Sequence, residues 1–246
     1  MPLSAVRSQS IAPAATADGG NKEMRSDQFG AAHIRNELLA WCEEAAYYKA
    51  TNPTMGTGLA MGIQTTFSDT ANVLAIMRNG SASKLIIPHY LRLTCTGAGA
   101  TTTSSHIAII TDTANRWSSG GTDLTAEVKN ARSDQAPASA VDVLRFGAIT
   151  ALAQSAKRQL IRAPLKTQAA PCWVVGDEVV ICFSAMETFT NGLKSGAAAS
   201  VFVVSAGPLI LGGQNHCVLF HMWNPANATT APSWECEFAW WERGKA

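Results

Sequence analysis

The segment Trp234-Glu235-Cys236-Glu237-Phe238-Ala239-Trp240, close to the end of the chain, decides the fold class. Large apolar side chains or cysteine occupy every second position, and two of the positions between them carry glutamates. Because successive side chains of a β-strand point to opposite faces of a sheet, this period of two predicts a half-buried strand with a mostly aromatic inner face. We expect the outer face, which holds Glu235 and Glu237, to be solvated or to meet another subunit.

Comparable segments recur upstream of this strand at intervals of about 8–12 residues, the spacing typical of a β-sandwich or barrel. Pairs such as Asn79-Gly80 and Gly212-Gly213 mark turns between them, since glycine and asparagine tolerate a positive φ. The pattern therefore predicts an all-β fold. Ten strands are predicted, over residues 59–67, 73–78, 84–96, 105–111, 141–152, 160–166, 174–184, 200–204, 217–223 and 234–242.

The first 52 residues follow a different pattern. Residues 1–26 are rich in small and polar side chains, with three basic residues against two acidic ones, and we expect them to form a flexible arm. In residues 27–52 the apolar side chains recur at intervals of four, three, four and three, which predicts a helical or mixed segment that Pro53 ends. The β-sandwich domain is thus predicted over residues 53–246. The apolar stripe consists of Ile34, Leu38, Trp41, Ala45 and Tyr48.

The composition argues against a nucleic-acid-binding protein. The 246 residues carry 19 Lys and Arg against 18 Asp and Glu, a formal net charge of +1, whereas electrostatic binding to phosphates needs a basic excess. Only 15% of residues are charged, compared with about 25% in typical soluble domains, so we expect other subunits to cover much of the surface. No apolar run has the roughly 18 residues of a membrane span, and the N-terminus lacks a signal-peptide core. We therefore expect no membrane contact and synthesis in the cytoplasm.

Cysteine and histidine spacing indicates no metal site. The six cysteines include no Cys-x-x-Cys pair, so we interpret them as reduced core residues, with a zinc site as the alternative. His216 and His221 are five positions apart along one predicted strand, and this odd offset places them on opposite faces. The sequence predicts neither a metal nor a cofactor. The cysteines are Cys42, Cys95, Cys172, Cys182, Cys217 and Cys236.

No catalytic motif is present. The chain has no Gly-x-Ser-x-Gly elbow, His-Glu-x-x-His helix or Walker loop. The glycine-rich segment 56–62 resembles a nucleotide-binding loop, but its third glycine is one position late and no strand precedes it. Glu235 and Glu237 would stand about 7 Å apart on one strand face, where a solvated or subunit-facing surface explains them better than a glycosidase pair. We therefore do not expect an enzyme.

Two polar segments and one repeated tetrapeptide stand out between the predicted strands. Residues 113–139 and 190–199 are predicted loops, and long loops commonly take part in interactions. Asp-Thr-Ala-Asn occurs at 69–72 and again at 112–115, each time after a predicted strand. The flanking residues differ, so we interpret the repeat as turn chemistry used twice rather than as a structural repeat.

Tryptophan is unusually frequent, with seven residues against three tyrosines, and Trp234, Trp240 and Trp241 all fall in the last strand. Exposed aromatic rings stack against sugars in some proteins, so a carbohydrate-binding platform is one interpretation. The other is burial on both faces, with the inner face in the core and the outer face against a neighbouring subunit. We favour the second interpretation. The residues predicted at the subunit interface are Trp41, Tyr48, Trp223, Trp240 and Trp241.

Several packing and turn motifs lie within residues 67–243. They are Leu85-Ile86-Ile87-Pro88 with Leu91-Arg92-Leu93, Asn115-Arg116-Trp117-Ser118-Ser119-Gly120-Gly121-Thr122, Arg145-Phe146-Gly147-Ala148-Ile149-Thr150, Val174-Val175-Gly176-Asp177, and Cys217-Val218-Leu219-Phe220-His221-Met222-Trp223-Asn224-Pro225 with Glu237-Phe238-Ala239-Trp240-Trp241-Glu242-Arg243. With these motifs the region resembles the jelly-roll structural proteins of tailed-bacteriophage virions, of the head decoration or cement type.

The resemblance implies an antiparallel jelly-roll β-sandwich with a purely structural role, which self-associates as a trimer and contacts the major capsid protein. It implies a location on the capsid surface of the virion, after synthesis in the cytoplasm of a bacterial host. The near-neutral arm agrees with this location, because arms that face a packaged single-stranded genome are typically strongly basic. The alternative is a carbohydrate- or receptor-binding jelly roll in a spike, collar or tail.

Overall fold

The computed structural model describes residues 42–99, 104–136, 138–155, 158–167, 173–183, 200–224 and 230–245. These residues form thirteen β-strands, one short 3-10 helix, Thr125–Glu127, and a helical pair, Cys42 and Glu43, so the predicted all-β class is confirmed for this part of the chain. The strands are β1 (Tyr47–Thr51), β2 (Leu59–Ala60), β3 (Val73–Asn79), β4 (Lys84–Gly97), β5 (Ser104–Asp112), β6 (Trp117–Asp123), β7 (Lys129–Asn130), β8 (Val141–Ala151), β9 (Arg158–Thr167), β10 (Glu178–Cys182), β11 (Val201–Ser205), β12 (Cys217–Trp223) and β13 (Ser233–Gly244).

The strands form two sheets that share one core as a β-sandwich. The seven-stranded sheet has the order β11-β10-β4-β13-β1-β7, with β2 paired to β13 beside this path. The six-stranded sheet has the order β6-β8-β3-β12-β5-β9. Neighbouring strands are antiparallel apart from the parallel pair β10 and β11, so the predicted sandwich is confirmed.

The strand pairing is nested along the chain. β1 pairs with β13, β3 with β12, β4 with β10 and β5 with β9, so early strands pair with late ones in reverse order. Within each half of this nest, successive strands alternate between the two sheets. β6 and β8 come from the connection between β5 and β9 and extend the six-stranded sheet beyond β3. The nested strands therefore form one long folded-back ribbon wound around a common core.

Both sheets send alternate side chains into the core. On β12, Val218, Phe220 and Met222 point into it. Cys217 and Leu219, which alternate with them, belong to a second apolar cluster on the other side of the six-stranded sheet. Every residue of β12 is buried, because β3 and β5 flank the strand and both of its faces are covered. Truncation of Phe220 to alanine would cost about 3–5 kcal/mol.

β13 runs through the middle of the seven-stranded sheet, with β4 on one side and β1 on the other. Its inner face is at most 3% exposed, as the alternating pattern predicts. Trp173 contacts this face edge-on, with its ring centroid 4.9 Å from that of Trp234, in the T-shaped geometry that aromatic pairs prefer. The inner face consists of Trp234, Cys236, Phe238 and Trp240.

The two Asp-Thr-Ala-Asn segments meet at one buried guanidinium. Arg116 is 0% exposed, and its Nη atoms lie 3.0 Å from Asp69 Oδ2 and 3.2 Å from Asp112 Oδ2. Its Nε donates to the carbonyl of Leu152 at 2.7 Å, and the Ser155 hydroxyl donates to Asp112 Oδ1 at 2.9 Å. A buried charge is stable only when it is paired and hydrogen-bonded. The repeat therefore supplies both counter-ions of Arg116, a role that turn chemistry alone does not predict.

The helix predicted within residues 27–52 is wrong at its C-terminal end. Residues 47–51 form β1, which pairs with β13 on one side and β7 on the other, while residues 1–41 lie outside the described residues. Tyr48 and Ala50 point into the core, and Tyr47 on the opposite face is buried as well, whereas Lys49 and Thr51 on that face are partly or fully exposed. The buried Tyr47 beside the buried Tyr48 interrupts the period of two. The sandwich thus includes Tyr47 and begins before residue 53.

The loop predicted over residues 113–139 is also wrong, because it contains β6, the 3-10 helix and β7. Gly120 and Gly121 both adopt a positive φ, and the register of β6 against β8 shifts around them. Paired glycines predict a turn, but here they form an irregular edge strand of the bulged kind. The strand predicted over residues 59–67 is only the two residues of β2, and the loop predicted over residues 190–199 lies outside the described residues.

Candidate functional site

A cluster of polar and aromatic side chains lies on the outer face of the seven-stranded sheet, where β1, β13 and β4 are adjacent. Glu237 points outward because its neighbours Cys236 and Phe238 point into the core. Clustered titratable groups with shifted pKa values are typical of functional sites. We call this cluster the outer-face network; its members are Tyr47, Lys49, His89, Tyr90, Glu237 and Trp241.

Glu237 is the acceptor at the centre of the outer-face network. Its Oε1 accepts a hydrogen bond from Lys49 Nζ at 3.0 Å and another from the Tyr90 hydroxyl. Burial alone would raise the pKa of the Glu237 carboxyl, but the hydrogen bonds from Tyr90 and Lys49 outweigh burial and bring the pKa below its ordinary value. Glu237 is therefore ionised at neutral pH.

Ala239 makes room for these contacts. It lies directly opposite Lys49 on β1 and Tyr90 on β4, and it is completely buried. Because its side chain is a single methyl group, the two longer side chains close over it, and Lys49 Nζ lies 5.6 Å from the centroid of the Tyr90 ring. A larger side chain at position 239 would force Lys49 and Tyr90 apart.

A β-bulge places His89 and Tyr90 on the same face. In the register of β13 against β4, Ala239 faces Tyr90 and Trp240 faces Pro88, which leaves His89 as an extra residue on β4. Consecutive residues of a regular strand point to opposite faces, whereas a bulge redirects one side chain. Both rings consequently reach the outer face, where their centroids are 5.2 Å apart.

His89 connects Tyr47 to Trp241. Tyr47 Oη lies 2.8 Å from His89 Nδ1, and the imidazole stacks on the indole of Trp241 with 4.7 Å between centroids and 19° between planes. Burial, and then the charge of Lys49, lower the pKa of His89, so its ring is neutral at pH 7. The other ring nitrogen, Nε2, can donate or accept a further hydrogen bond according to the tautomer of the imidazole.

At neutral pH the outer-face network carries one positive and one negative charge, on Lys49 and Glu237. Burial raises the pKa of Tyr47 far above its ordinary value, and Tyr90 raises it further. Burial, followed by the hydrogen bond to Glu237, also raises the pKa of Tyr90. Both phenols therefore keep their protons. A second ion pair continues the polar surface towards β10, where Arg92 Nη2 lies 2.9 Å from Glu178 Oε1.

The five residues predicted at a subunit interface lie in different environments. Trp240 and Tyr48 are 0% and 5% exposed and stack on each other in the core, so the prediction for these two is corrected: one chain already buries both rings. Trp223 is 4% exposed and packs against Phe67 and His106, so its prediction is corrected for the same reason. Only Trp241 is partly exposed on an outer face. Trp41 lies outside the described residues.

The two glutamates considered as a pair have separate partners. The backbone N–H of Gly56 donates to Glu235 Oε1, whereas Glu237 contacts Lys49 and Tyr90. In the glycine-rich segment 56–62, β2 pairs with Ser233 and Trp234 of β13. This segment therefore packs against the start of β13, as part of the sheet.

Four of the five described cysteines are buried as predicted. Cys95, Cys182, Cys217 and Cys236 are buried free thiols and Cys42 is a partly exposed one, while Cys172 lies outside the described part. Burial raises the pKa of Cys217 to about 12, so its thiol is not ionised at neutral pH.

Within the described ranges, no three His, Cys, Asp or Glu side chains are grouped in a way that would hold a metal ion. The helical part of the described chain contains no segment long and apolar enough to span a membrane.

Sequence reasoning missed four members of the outer-face network. Tyr47 and Lys49 were placed in or beside a predicted helix, and their contacts depend on the pairing of β1 with β13. His89 and Tyr90 are consecutive, so strict alternation assigns them to opposite faces, and only the bulge brings them together. The signals available were Glu237 and Trp241, whose outward positions the period of two did predict.

Comparison of the chain with protein-family models, curated proteins and solved structures found no match.

Proposed function

We propose that this protein is a jelly-roll structural protein of a tailed-bacteriophage virion, a decoration or cement protein that self-associates as a trimer on the head and bridges neighbouring capsomers. The observation that carries the proposal is the nested strand pairing. Its two four-strand sets, β1-β13-β4-β10 and β3-β12-β5-β9, have the order that a folded-back ribbon of eight strands takes when it is rolled into two sheets. Jelly rolls of this kind are common in viral capsid proteins and in lectins.

The outer-face network is the surface we assign to contact with a neighbouring subunit. Trp241 is partly exposed there and lies next to charged groups that are already paired within the chain, Lys49 with Glu237 and Arg92 with Glu178. Charges that are already paired within the chain cost less to bury at an interface than single ions, because each keeps its counter-ion when water is removed. A trimer closed through such faces would bury on the order of 2,000–5,000 Å², as obligate interfaces do.

Bridging of capsomers needs no catalytic group. Many weak contacts between decoration trimers and the major capsid protein act together, since each bound subunit raises the effective concentration of the next contact. The net charge of +1 fits a place on the outside of the shell, away from the packaged genome.

Solution mass, measured by light scattering, tests the proposal. We expect about 78 kDa, three times the chain mass of 26.0 kDa, for the full chain, and three times its own smaller chain mass for a variant without residues 1–26. That variant keeps every described strand, because β1 begins at Tyr47. The purified trimer should also be retained on phage heads assembled without it. A 26 kDa species that does not bind such heads would refute the proposal.

A carbohydrate- or receptor-binding role is the second candidate, and the stacked pair of His89 and Trp241 favours it. The indole offers an apolar surface, and Glu237, Lys49 and His89 Nε2 offer acceptors and donors for hydroxyl groups beside it. A glycan array separates the two roles. Specific glycan binding that Trp241→Ala abolishes, by a chain that remains monomeric, would support this second role in place of the first.

A further inference from the structure

β11 forms one edge of the seven-stranded sheet in the described part of the chain, and its composition is unusual for an edge. The strand reads Val201-Phe202-Val203-Val204-Ser205, without charge, proline or glycine. An edge strand presents unpaired N–H and C=O groups that can pair with another chain, and natural proteins protect such edges with charges, proline, bulges or short length. β11 has only its modest length.

The other edges of the described sheets carry such protection. β7 and β2 are each two residues long. β6 contains two glycines at positive φ and shifts of register. β9 carries Arg158, Arg162 and Pro164. Because the other edges are protected in these ways, the lack of such protection at β11 needs an explanation.

The hydrogen bonds to β10 show which backbone groups of β11 face outward. Glu178 N–H donates to Ser200 C=O at 2.8 Å, and Ala206 N–H donates to Cys182 C=O at 2.8 Å. Both groups of one residue point to the same side of a strand, and successive residues alternate, so the even-numbered residues 200–206 face β10. The N–H and C=O groups of Val201, Val203 and Ser205 therefore point away from β10, towards the edge of the sheet. Within the described chain, β10 is the only strand that pairs with β11.

We propose that this edge pairs with the same edge of a second copy of the chain, antiparallel and about a two-fold axis at Val203. In this register Val203 faces Val203 of the second copy, and Val201 faces Ser205 of the second copy. Residues whose groups point to the partner exchange two hydrogen bonds for each facing pair. The outward groups of β11 then all find partners, and the two seven-stranded sheets become one continuous sheet.

The side chains fit a second copy of the same strand. On the outer face Val203 meets its own counterpart, and on the core side Phe202 stands opposite Val204 of the second copy. No charged side chain opposes a like charge, whereas a partner strand with a charged side chain would place that charge against valine or phenylalanine. An uncharged, β-branched strand is matched by itself, and a contact of this kind is isologous.

The contact is independent of the proposed trimer, because a two-fold contact and a three-fold contact use different surfaces. A trimer that also makes the β11 contact associates further into pairs of trimers. A chain without the three-fold contact forms a simple dimer. Each contact is either present or absent, and the resulting masses of one, two, three or six chains distinguish the four cases. Failure of one proposal therefore does not conceal failure of the other.

Charged variants at Val203 test the self-facing geometry. Val203→Lys and Val203→Asp each place like charges opposite one another, and we expect each variant alone to self-associate about tenfold more weakly, or not at all. A mixture of the two variants places opposite charges together, and we expect association to return in the mixture. Only a position that faces itself across a two-fold axis gives this result.

Sedimentation over a range of concentrations measures the association, and native mass spectrometry identifies mixed pairs. The matched control is Val180→Lys, which carries the same substitution one strand inward, opposite Val203 in the register of β10 and β11. Val203→Pro is a second test, since it removes an edge N–H and leaves the hydrogen bonds to β10. Thermal unfolding of each variant confirms that it is folded.

We expect concentration-dependent doubling of mass in the wild type and in Val180→Lys, and its loss in Val203→Pro. The proposal is overturned if the wild type shows no doubling, or if Val203→Lys associates like the wild type. It is also overturned if the mixture of charged variants stays unassociated, or if Val180→Lys prevents association as strongly as Val203→Lys.

Discussion

The imidazole of His89 stacks on the indole of Trp241, and this contact exists because the β-bulge gives β4 one extra residue at position 89. The stack holds the Trp241 ring against the outer face of the sheet. Its sequence neighbour Trp240 points the other way and is fully buried in the core. Two adjacent tryptophans therefore have separate structural roles, which substitution can distinguish.

Substitution of the two tryptophans by alanine should have different consequences. Trp240→Ala should destabilise the folded chain by about 3–5 kcal/mol, because it leaves a cavity in a fully packed core. Trp241→Ala should lower the melting temperature of the trimer and leave the monomer fold intact. Circular dichroism and light scattering on both variants measure the two effects. An unchanged trimer melting temperature in Trp241→Ala would place this ring on a free surface.

The neutral state of His89 predicts a dependence of stability on pH. Because the pKa of His89 in the folded protein is below its ordinary value of about 6.5, the unfolded chain binds the proton more readily. The contribution is complete above pH 6.5 and is lost as the pH falls through the folded-state pKa. Denaturant unfolding between pH 5 and 7.5 should show this loss in the wild type, and a smaller loss in His89→Gln.

His216 is the control for this experiment, because burial also lowers its pKa. The effect of His216→Gln should add to that of His89→Gln, since distant sites contribute independently. NMR titration of the ring protons assigns each pKa. A His89 ring that titrates at or above its ordinary value would contradict the prediction.

Glu237 should contribute to stability at a lower pH. Its pKa in the folded protein is below the ordinary value of 4.5, so the contribution is present above pH 4.5 and is lost as the pH falls through the folded-state pKa. A double-mutant cycle of Glu237→Gln and Lys49→Met at pH 7 measures the ion pair. Since the Lys49 side chain is 45% exposed, we expect a coupling energy of only about 0.2–1 kcal/mol. A coupling that persists unchanged at pH 2 would show that charge is not its source.

Loss of Arg116 should be far more damaging than loss of a surface arginine. Arg116→Met leaves Asp112 buried without its counter-ion, and we expect destabilisation by about 3–5 kcal/mol in urea unfolding. The control is Arg132→Met, because the ion pair of Arg132 with Asp134 is exposed and screened by solvent, so its loss should change stability little. Equal effects of the two substitutions would show that the buried cluster does not stabilise the fold.

The strands with a clear period of two could be predicted from the sequence. β13 is the clearest case, since Trp234, Cys236, Phe238 and Trp240 alternate with polar or small residues and all point into the core. β1 could not be predicted, because Tyr47 and Tyr48 are consecutive buried aromatic residues on opposite faces of the strand, which interrupts the alternation. The apolar residues at intervals of four and three favour a helix in this segment. Pairing of β1 with the distant strand β13 overrides this local preference.

The outer-face network could not be predicted either, for a related reason. It depends on the register of β1 against β13, which joins residues nearly 190 positions apart, for example Lys49 and Glu237. It also depends on a bulge at His89, for which the sequence carries no distinct signal. Only the outward directions of Glu237 and Trp241 were available locally.

The pairing of the first described strand with the last has a consequence for synthesis of the chain. β1 cannot take its place in the seven-stranded sheet until β13 has left the ribosome, since β13 lies between β1 and β4. Structures dominated by contacts between distant parts of the sequence fold slowly, because the chain must close long loops before those contacts form. Nascent chains will therefore wait with the β13-facing edges of β1 and β4 unpaired at the centre of this sheet, and these edges depend on protection from aggregation until β13 is made.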